Sequence, residues 1–538
     1  MTKSFSSFTA ALFTTCILMA QSPTEALIPM PNNITIQHKN KTFEIDKKCA
    51  IETNCPHDCF FIKALQASIK KHTGINVPIS RKGNISISID TTLKSTEHYT
   101  IDITTKRIRI KGASETALLR ATQTMEQILL GDYINSAKGE IACLTIDDKP
   151  RYKHRAIMLD PARHFIPVKD IKFFIDQIAK YKYNILQLHL TDDQGWRVEI
   201  KSHPQLTTKG AFRNNKEGDQ GPDNGFYTQE ELKEIVTYAA TRGIEVIPEL
   251  DIPGHSAAFL AAYPKAGCPF RHSETIQLGE TTNRMLCACN EETYSIYADI
   301  FKELAGIFPS QYIHLGGDEA AIKENWAKCD DCIALMKKSG YSSPEQLMNI
   351  FFGKMLALVR QNGKKPILWC ELDNIYPPAN DYLFPYPADV TLVTWRNGLT
   401  PKCIELTHKH GHKLIMAPGE HTYLDYPQYR GDLPEFGNWG MPVTTLKKTY
   451  ELDPSYGLKE NEQTHIQGVM GTLWAEAIRD INRITYMTFP RGLALAEAGW
   501  TEMPQRDWEC FKKRLLPNLT DLIRSGVSVR VPFEIYSK

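Results

Sequence analysis

Eight short apolar segments lie between residues 151 and 500 of this chain, and amphipathic helical segments follow most of them. Consecutive hydrophobic positions of this kind are typical of strands that are buried on both faces of a parallel sheet. The apolar segments lie at residues 156–159, 185–190, 244–250, 312–315, 366–369, 390–394, 414–416 and 469–474. Eight strand–helix units predict a (β/α)8 TIM barrel. A doubly wound sheet is the alternative, but the count of eight and the length favour the barrel.

Helical periodicity predicts helices in the connections between these strands. The predicted helices lie at residues 168–182, 228–241, 291–306, 344–361, 401–410 and 482–497. Residues from about 505 to 530 also look helical, and we expect them to pack on the outside of the barrel. We therefore assign residues 151–538 to one catalytic (β/α)8 barrel with a C-terminal helix.

The pattern of predicted strands and helices in residues 27–150 indicates a separate small α+β domain. Strand-like alternation occurs at 33–37 and 85–89, and a hairpin is predicted from 99–103 and 107–110. Residues 114–130 have helical periodicity. This region lacks a cluster of catalytic residue types, so we expect a structural domain that packs against the barrel.

The first twenty residues are typical of a secretory signal peptide. Lys3 supplies a positive charge, and residues 8–20 form an apolar stretch that is too short to span a bilayer. Cleavage is expected after Ala20 or, at the latest, after Ala26. A buried N-terminal helix is the alternative. No later segment is long and apolar enough to cross a membrane, so we expect a secreted or periplasmic protein.

Charge and cysteine content limit the other classes of partner. The net charge of +1 gives no electrostatic footprint for nucleic acid or for an anionic membrane. Four of the cysteines, Cys287, Cys289, Cys329 and Cys332, flank the fourth predicted strand in C-x-C and C-x-x-C pairs. Four thiolates at this spacing could hold structural zinc, whereas export favours disulfides, so both alternatives stay open.

Polar and aromatic residues follow every predicted barrel strand. In a (β/α)8 barrel the carboxyl ends of the strands meet at one face, where barrel enzymes place their active sites. In chain order these residues are Asp160, Arg163 and His164; His189, Asp192, Asp193, Trp196 and Arg197; Glu249, Asp251 and His255; His314, Asp318 and Glu319; Trp369 and Glu371; Trp395 and Arg396; Tyr423 and Asp425; Trp474 and Glu476. Any one of them could be a loop residue or a core aromatic, but the recurrence at eight strand ends predicts an active site.

Asp318 and Glu319 are adjacent, and this limits the chemistry they can perform. Glycoside hydrolysis usually requires two carboxylates on opposite sides of the scissile bond, about 5–10 Å apart. Neighbouring residues at one strand end do not easily straddle a sugar in this way. Glu319 could protonate the leaving oxygen while Asp318 orients a 2-acetamido group of the substrate, whose oxygen attacks the anomeric carbon. Repulsion between the two carboxylates would help to raise one pKa.

The sequence His314-Leu315-Gly316-Gly317-Asp318-Glu319 resembles the signature of glycoside hydrolase family 20, the β-N-acetylhexosaminidases. The resemblance extends over nearly the whole chain after the signal peptide. It implies an exo-acting, retaining enzyme that removes terminal GlcNAc or GalNAc from glycans through an oxazolinium intermediate. It also implies that Glu319 is the general acid and then the base, that Asp318 polarises the acetamido group, and that Tyr423 hydrogen-bonds the acetamido oxygen.

The resemblance further implies a set of residues that hold the sugar. Three tryptophans would form the walls of the pocket, and charged side chains would bind the hydroxyl groups, with a histidine in a supporting network. These residues are Trp369, Trp395 and Trp474; Arg163, Asp192, Asp425 and Glu476; and His255. Taken singly, Trp474 could belong to the core, Tyr423 could face solvent, and His255 could be structural.

Three other functions agree less well with the sequence. A carbohydrate-binding pseudoenzyme is disfavoured because Asp318, Glu319 and Tyr423 are all present. Release of a disaccharide or of a 6-sulfated sugar would need a more open or more basic pocket, and Glu476 would repel a sulfate. A metal-dependent barrel enzyme lacks a convincing ligand triad, so we expect no cofactor and no catalytic metal. The sequence leaves the preference for GlcNAc or GalNAc and the oligomeric state open.

Overall fold

The structure is a computed structural model of the chain. It describes residues 24–37, 41–56, 58–135, 138–213, 223–273, 276, 278–279, 281–371, 386–432 and 440–536. The predicted signal peptide, residues 1–20, lies outside this part of the chain. Among the described residues, no helix has both the length and the apolarity required to cross a membrane.

Eight parallel strands close into a barrel, which confirms the predicted fold class. The strands are His154–Leu159, Ile185–His189, Glu245–Glu249, Tyr312–His314, Lys365–Trp369, Thr391–Val393, Lys413–Met416 and Ile466–Leu473. Each pairs in parallel with the next, and the last pairs with the first over six residues, from Gly468–His154 to Leu473–Leu159. Closure brings all eight carboxyl ends to the same face, because the strands run in the same direction.

The helices around the barrel bury their apolar faces against the strands. The longer ones are Val168–Ala179, Gln229–Ala240, Glu291–Ile307, Leu347–Gln361, Thr400–His410, Ile481–Thr488, Arg491–Trp500 and Trp508–Arg524. The shorter ones are Gln205–Gly210, Ala257–Ala262, Asp330–Lys338, Gly419–Thr422 and Leu446–Tyr450. Helix starts are fixed by side chains that accept free backbone N–H groups, such as Thr228 in a capping box with Glu231 and Asn290 on Glu292 and Thr293.

The predicted single helix at 482–497 is wrong. Two helices, Ile481–Thr488 and Arg491–Trp500, occupy this stretch and are separated by Pro490. Proline has no backbone N–H to continue the helical hydrogen bonds, and its ring disfavours helical conformation in the residue before it. The apolar periodicity runs through both helices and therefore conceals the break.

The N-terminal unit is a six-stranded sheet covered by two helices, Phe60–Thr73 and Glu115–Asn135. The predicted hairpin is present as an antiparallel pair of Tyr99–Ile103 with Ile108–Gly112. The other strands of this sheet, in the order in which they occur along the chain, are Asn33–Ile36, Ile51–Thr53, Ile85–Ile89 and Leu144–Asp148. A separate pair joins Thr42–Glu44 to Glu140–Ala142. The strands near residues 43, 52, 141 and 146 and the helix Phe60–Thr73 were not predicted.

A buried polar cluster joins this unit to the barrel. Asp148 accepts hydrogen bonds from Trp500 Nε1 at 2.9 Å and from Tyr99 OH at 2.6 Å, and Lys182 Nζ lies 3.5 Å from its carboxylate. Nearby, Glu97 pairs with Arg155 at 2.6 Å. These contacts support the predicted structural role, because they tie the sheet to two of the barrel's connecting segments.

We expect Asp148→Asn to destabilise the protein by about 3–5 kcal/mol, because it leaves the fully buried Lys182 without its anionic partner. Burial already lowers the pKa of Lys182 to about 8 despite the attraction of Asp148. Thermal unfolding measures the effect. The neighbouring Asp147→Asn is the control, since Asp147 is 61% exposed and its surface ion pair with His98 contributes little. Equal shifts in Tm for the two variants would contradict the prediction.

No disulfide joins any two of the cysteines that the structure describes. Most of them are buried. Five lie close together in the connections that follow the third and fourth barrel strands.

Candidate active site

A strained turn places Asp318 and Glu319 at the end of the fourth barrel strand. Gly316 and Gly317 have φ of 64° and 103°, and a Cβ at Gly316 would come within 1.7 Å of Asp251 Oδ1. Glu319 itself has φ of 49°, a conformation that costs a residue other than glycine about 1–3 kcal/mol. The Gly317 N–H donates to Asp251 Oδ1 at 3.1 Å and secures the turn. The two glycines are therefore required for the direction in which the carboxylates point.

Asp318 is the buried member of the pair, with 6% of its surface exposed. Among the described residues, its Oδ1 has no hydrogen-bond partner. Burial raises the pKa of Asp318, and the charge of Glu319 raises it further against the opposing effect of His255. A buried carboxylate with an unused acceptor is suited to a hydrogen-bond donor of the substrate.

Glu319 has an exposed side chain at 46% and stands between two cationic groups. Its Oε1 lies 3.2 Å from Arg396 NH2, and its Oε2 lies 3.7 Å from His255 Nε2. Its backbone N–H donates to Glu371 Oε2 at 3.2 Å. The sequence placed Arg396 and Glu371 at strand ends but gave them no role, because only the closed barrel brings them beside the fourth strand.

His255 connects the catalytic pair to the second barrel strand. Its Nδ1 lies 3.2 Å from Asp192 Oδ1, and its backbone has φ of 48°. Burial alone would lower the pKa of His255, but the carboxylates of Asp192, Asp251 and Asp318 raise it well above its usual value. The ring is therefore a cation that offsets the charge of the surrounding carboxylates.

Arg163 and Asp192 form a buried ion pair at 2.9 Å. Arg163 also donates to Asp160 Oδ2 at 3.1 Å, and His189 Nε2 lies 2.9 Å from Asp192 Oδ2. Burial opposes ionisation of Asp192, but the charges of Arg163 and His255 hold its pKa well below the usual range. Arg163 and Asp192, both predicted to bind substrate, are therefore charged and held in position by each other and by their neighbours without a ligand.

Aromatic rings line the same end of the barrel. Trp369 is fully buried and its ring lies 5.6 Å from that of Trp474, which in turn lies 6.4 Å from the ring of Tyr423. Trp395 packs against the same rings and is partly exposed. Tyr423 is 6% exposed and does not face solvent. These four side chains form an aromatic cluster of a kind that suits a sugar face or a methyl group.

Asp425 and Glu476 are two further acids at this face. Burial raises the pKa of Asp425 well above its usual range, with a further contribution from Glu476. Burial also raises the pKa of Glu476, against the charge of Arg163, whose NH2 lies 3.9 Å from Glu476 Oε1. Among the described residues, Asp425 Oδ1 and Glu476 Oε2 lack a hydrogen-bond partner. Both acids are therefore placed to bind hydroxyl groups.

Two supporting residues had no role in the sequence-based prediction: Glu249 was named only as a strand-end residue, and Arg491 was not singled out. Glu249 lies in the barrel interior, where it accepts from Trp369 Nε1 at 2.9 Å and lies within 3.2 Å of the rings of His189 and His314. Arg491 is fully buried and donates to the carbonyls of Leu424, Tyr426, Thr444 and Met487, which fixes the loop that carries Tyr423 and Asp425. A charged residue within a buried strand or helix requires such partners, and this was the available signal.

Some acidic and histidine groups at this face come within 4.8 Å of one another, among them His189 with Glu249 and Asp251. Protein partners already engage these groups: Trp369 binds Glu249, the Gly317 N–H binds Asp251, and Arg163 pairs with Asp192. The expectation that catalysis uses no metal stays a prediction.

Comparisons with known proteins identify close relatives. The model of the glycosyl hydrolase family 20 catalytic domain matches residues 152–503, and that of domain 2 of the same family matches residues 24–149. A β-hexosaminidase of Akkermansia muciniphila is 41% identical over 423 residues, which are 78% of this chain and 82% of that protein.

Solved structures agree with the family match. An exo β-N-acetylglucosaminidase of Vibrio harveyi, in complex with N-acetylglucosamine, has a TM-score of 0.83 at 29% identity and covers 95% of this chain and 79% of its own. The N-acetyl-β-hexosaminidase of Streptomyces plicatus has a TM-score of 0.79 at 29% identity and covers 95% of this chain and 97% of its own.

Proposed function

We propose a residue-by-residue reaction scheme for this chain, which belongs to glycosyl hydrolase family 20. The protein is a β-N-acetylhexosaminidase, which is a glycoside hydrolase that removes terminal β-linked N-acetylhexosamine. It retains the configuration at the anomeric carbon. Substrate-assisted hydrolysis replaces the usual second carboxylate with the acetamido group of the sugar. The scheme below assigns the steps of that reaction to the side chains described above.

The reaction scheme rests on the difference in burial and in contacts between the adjacent carboxylates of Asp318 and Glu319. Asp318 is buried and has an unused acceptor oxygen, whereas Glu319 is half-exposed between Arg396 and His255. Adjacent side chains on one strand end approach a bound sugar from the same side, so neither is placed as the nucleophile on the opposite face. Glu319 is open to the leaving group, and Asp318 is directed into the pocket.

In the first step, Glu319 donates a proton to the glycosidic oxygen as the bond to the anomeric carbon breaks. Asp318 accepts a hydrogen bond from the acetamido N–H, and Tyr423 donates one to the acetamido oxygen. That oxygen forms the new bond to the anomeric carbon and yields an oxazolinium ion, whose positive charge Asp318 stabilises. In the second step, Glu319 takes a proton from water, which attacks the anomeric carbon and restores the acetamide.

Binding is assigned to the remaining residues of the face. Trp369, Trp395 and Trp474 hold the acetamido methyl and the sugar ring by apolar contact. Four charged side chains bind the sugar hydroxyls, and His255 holds Asp192 and the catalytic pair in register. The hydroxyl-binding residues are Arg163, Asp192, Asp425 and Glu476. Charged partners for the hydroxyls of one sugar ring favour a closed pocket and exo action.

The scheme is tested by the release of aryl alcohol from β-GlcNAc, β-GalNAc and β-glucoside substrates, with NMR detection of the first anomer formed. We expect turnover of both N-acetylated substrates, β-anomer as first product, and activity lower by at least three orders of magnitude on the glucoside, which lacks the nucleophile. Comparable turnover of the glucoside would overturn the scheme and require a second protein carboxylate.

We also propose that residues 1–20 direct export and are removed. Lys3 and the apolar stretch at 8–20 support this proposal. Cleavage after Ala20 is favoured over cleavage after Ala26, because Asn518 Nδ2 donates to the Ala26 carbonyl and Arg514 NH1 donates to the Leu27 carbonyl inside the fold. Mass spectrometry of the exported protein tests the site, and an uncut chain in the extracytoplasmic fraction would contradict the proposal.

A further inference from the structure

Five cysteines lie together in the two connections that follow the third and fourth barrel strands. Cys268 and Cys287 belong to the long connection after the third strand, and Cys329 and Cys332 belong to the connection after the fourth. The sulfur atoms of these four lie within 4.8 Å of one another, and all four side chains are buried. The fifth, Cys289, is half-buried at the edge of the cluster.

We propose that Cys268, Cys287, Cys329 and Cys332 bind one structural zinc ion as a tetrathiolate. Zinc sites of this type are tetrahedral, with Zn–S bonds of about 2.3 Å, which places neighbouring sulfur atoms about 3.8 Å apart. The sulfur atoms of Cys287 and Cys332 are 3.6 Å apart. A disulfide requires about 2.05 Å, so this separation fits a shared metal ion rather than a direct bond.

The spacing along the chain agrees with the same assignment. Cys329 and Cys332 form a C-x-x-C pair, which is common for the two zinc ligands that come from one turn. Cys329 immediately precedes the helix Asp330–Lys338, and Cys332 lies in its first turn.

Cys289 is not one of the four proposed ligands, but it contacts one of them. Its thiol donates to the sulfur of Cys332 at 3.6 Å, and the residue is partly exposed. A thiol that donates to a zinc-bound thiolate is a typical outer-layer contact of a metal site. The sequence alone paired Cys289 with Cys287, Cys329 and Cys332; in the structure Cys268 takes the fourth position, although it lies 19 residues before Cys287.

The ion would join two loops that carry catalytic residues. The connection after the third strand carries His255, and the connection after the fourth carries Asp318 and Glu319. Hydrogen bonds already tie the two loops together: Trp326 Nε1 donates to the Leu286 carbonyl at 2.9 Å, and Asn325 Nδ2 donates to the Asn283 carbonyl at 2.8 Å. Zinc bound to the four cysteines would add a further link between the two loops.

The test measures metal in the full chain, purified without chelators after expression in zinc-supplemented medium. We expect about one zinc per chain by mass spectrometry of the metal, and four sulfur neighbours at about 2.3 Å by X-ray absorption. Cys332→Ser should reduce the zinc content at least tenfold and lower Tm by roughly 10 °C, because two loops lose their link. Cys143→Ser is the matched control, since Cys143 is buried in the N-terminal unit, and it should keep the zinc.

Other outcomes would overturn the proposal. One is a zinc-free wild type whose mass under denaturing, non-reducing conditions is about 2 or 4 Da below that of the reduced chain, which would reveal disulfides. Another is full zinc content in Cys332→Ser. Loss of zinc in Cys289→Ser would refute this choice of ligands. If Cys332→Ser does not fold, the wild type is titrated with a mercurial reagent that reacts with thiols. Release of one zinc ion as four thiols react supports the proposed site.

Discussion

Glu319→Gln should lower kcat/KM by a factor of about 10²–10⁴ on a β-linked GlcNAc disaccharide, because the amide cannot protonate the leaving oxygen. This factor corresponds to about 3–5 kcal/mol of lost transition-state stabilisation. The loss should be much smaller on a dinitrophenyl glycoside, whose leaving group departs without a proton. Steady-state kinetics on the two substrates measure both effects, and the difference between them is the signature of a general acid.

The substitution preserves the shape of the side chain and its oxygen contact with Arg396, which lies 3.2 Å from Glu319 Oε1. Glu324→Gln serves as the control. Glu324 is five residues further along, in the short turn Ile322–Glu324 of the same loop. We expect kcat/KM within a factor of two of wild type for this variant. An equal loss on both substrates in Glu319→Gln would refute the assigned role.

Asp318→Asn should reduce kcat by a factor of about 10²–10³ with little change in KM. The charge of Asp318 stabilises the positive oxazolinium ion that forms in the transition state, and it contributes less to the bound substrate. Asparagine keeps the size of the side chain and removes the charge. Steady-state kinetics on aryl β-GlcNAc over a range of substrate concentrations measure kcat and KM separately.

The pH profile provides a second readout for Asp318. Its pKa is raised by burial and by Glu319, and the carboxylate must be ionised to act. Protonation therefore removes activity at a higher pH than for an ordinary aspartate, and the acid limb of the profile should move to lower pH in Asp318→Asn. Asp299→Asn, on a side chain that is 55% exposed, should leave both kcat and the profile unchanged. A loss confined to KM would contradict the assignment.

Apolar periodicity was sufficient to predict the barrel. Each barrel strand is short and has hydrophobic residues at consecutive positions, and every predicted segment overlaps an observed strand. Parallel strands bring their carboxyl ends together, so the residues that follow them converge whatever the details of the connections. The N-terminal sheet was predicted less completely, because strands such as Thr42–Glu44 and Ile51–Thr53 have only three residues and no clear alternation.

Tertiary structure decided how the residues within the site differ from each other. Asp318 and Glu319 are neighbours in sequence, yet one is buried and the other is exposed, because the turn through Gly316 and Gly317 directs them apart. Sequence patterns report on neighbours along the chain. The contact of the Ala475 N–H with Asp160, at 3.0 Å across 315 residues, exists only because the last barrel strand pairs with the first.

Throughout this protein, the sequence determines which types of residue are present, and the tertiary structure determines which partners they contact. The sequence by itself determined the eight strands, the face at which the site forms, and the kinds of side chain found there. Only the closed barrel determined that Arg396 would stand beside Glu319, that Glu249 would join His189 to His314, and that Cys268 would complete a cysteine quartet. Burial, charge and pKa depend on neighbours in space, and closure of the barrel chooses those neighbours from distant parts of the chain.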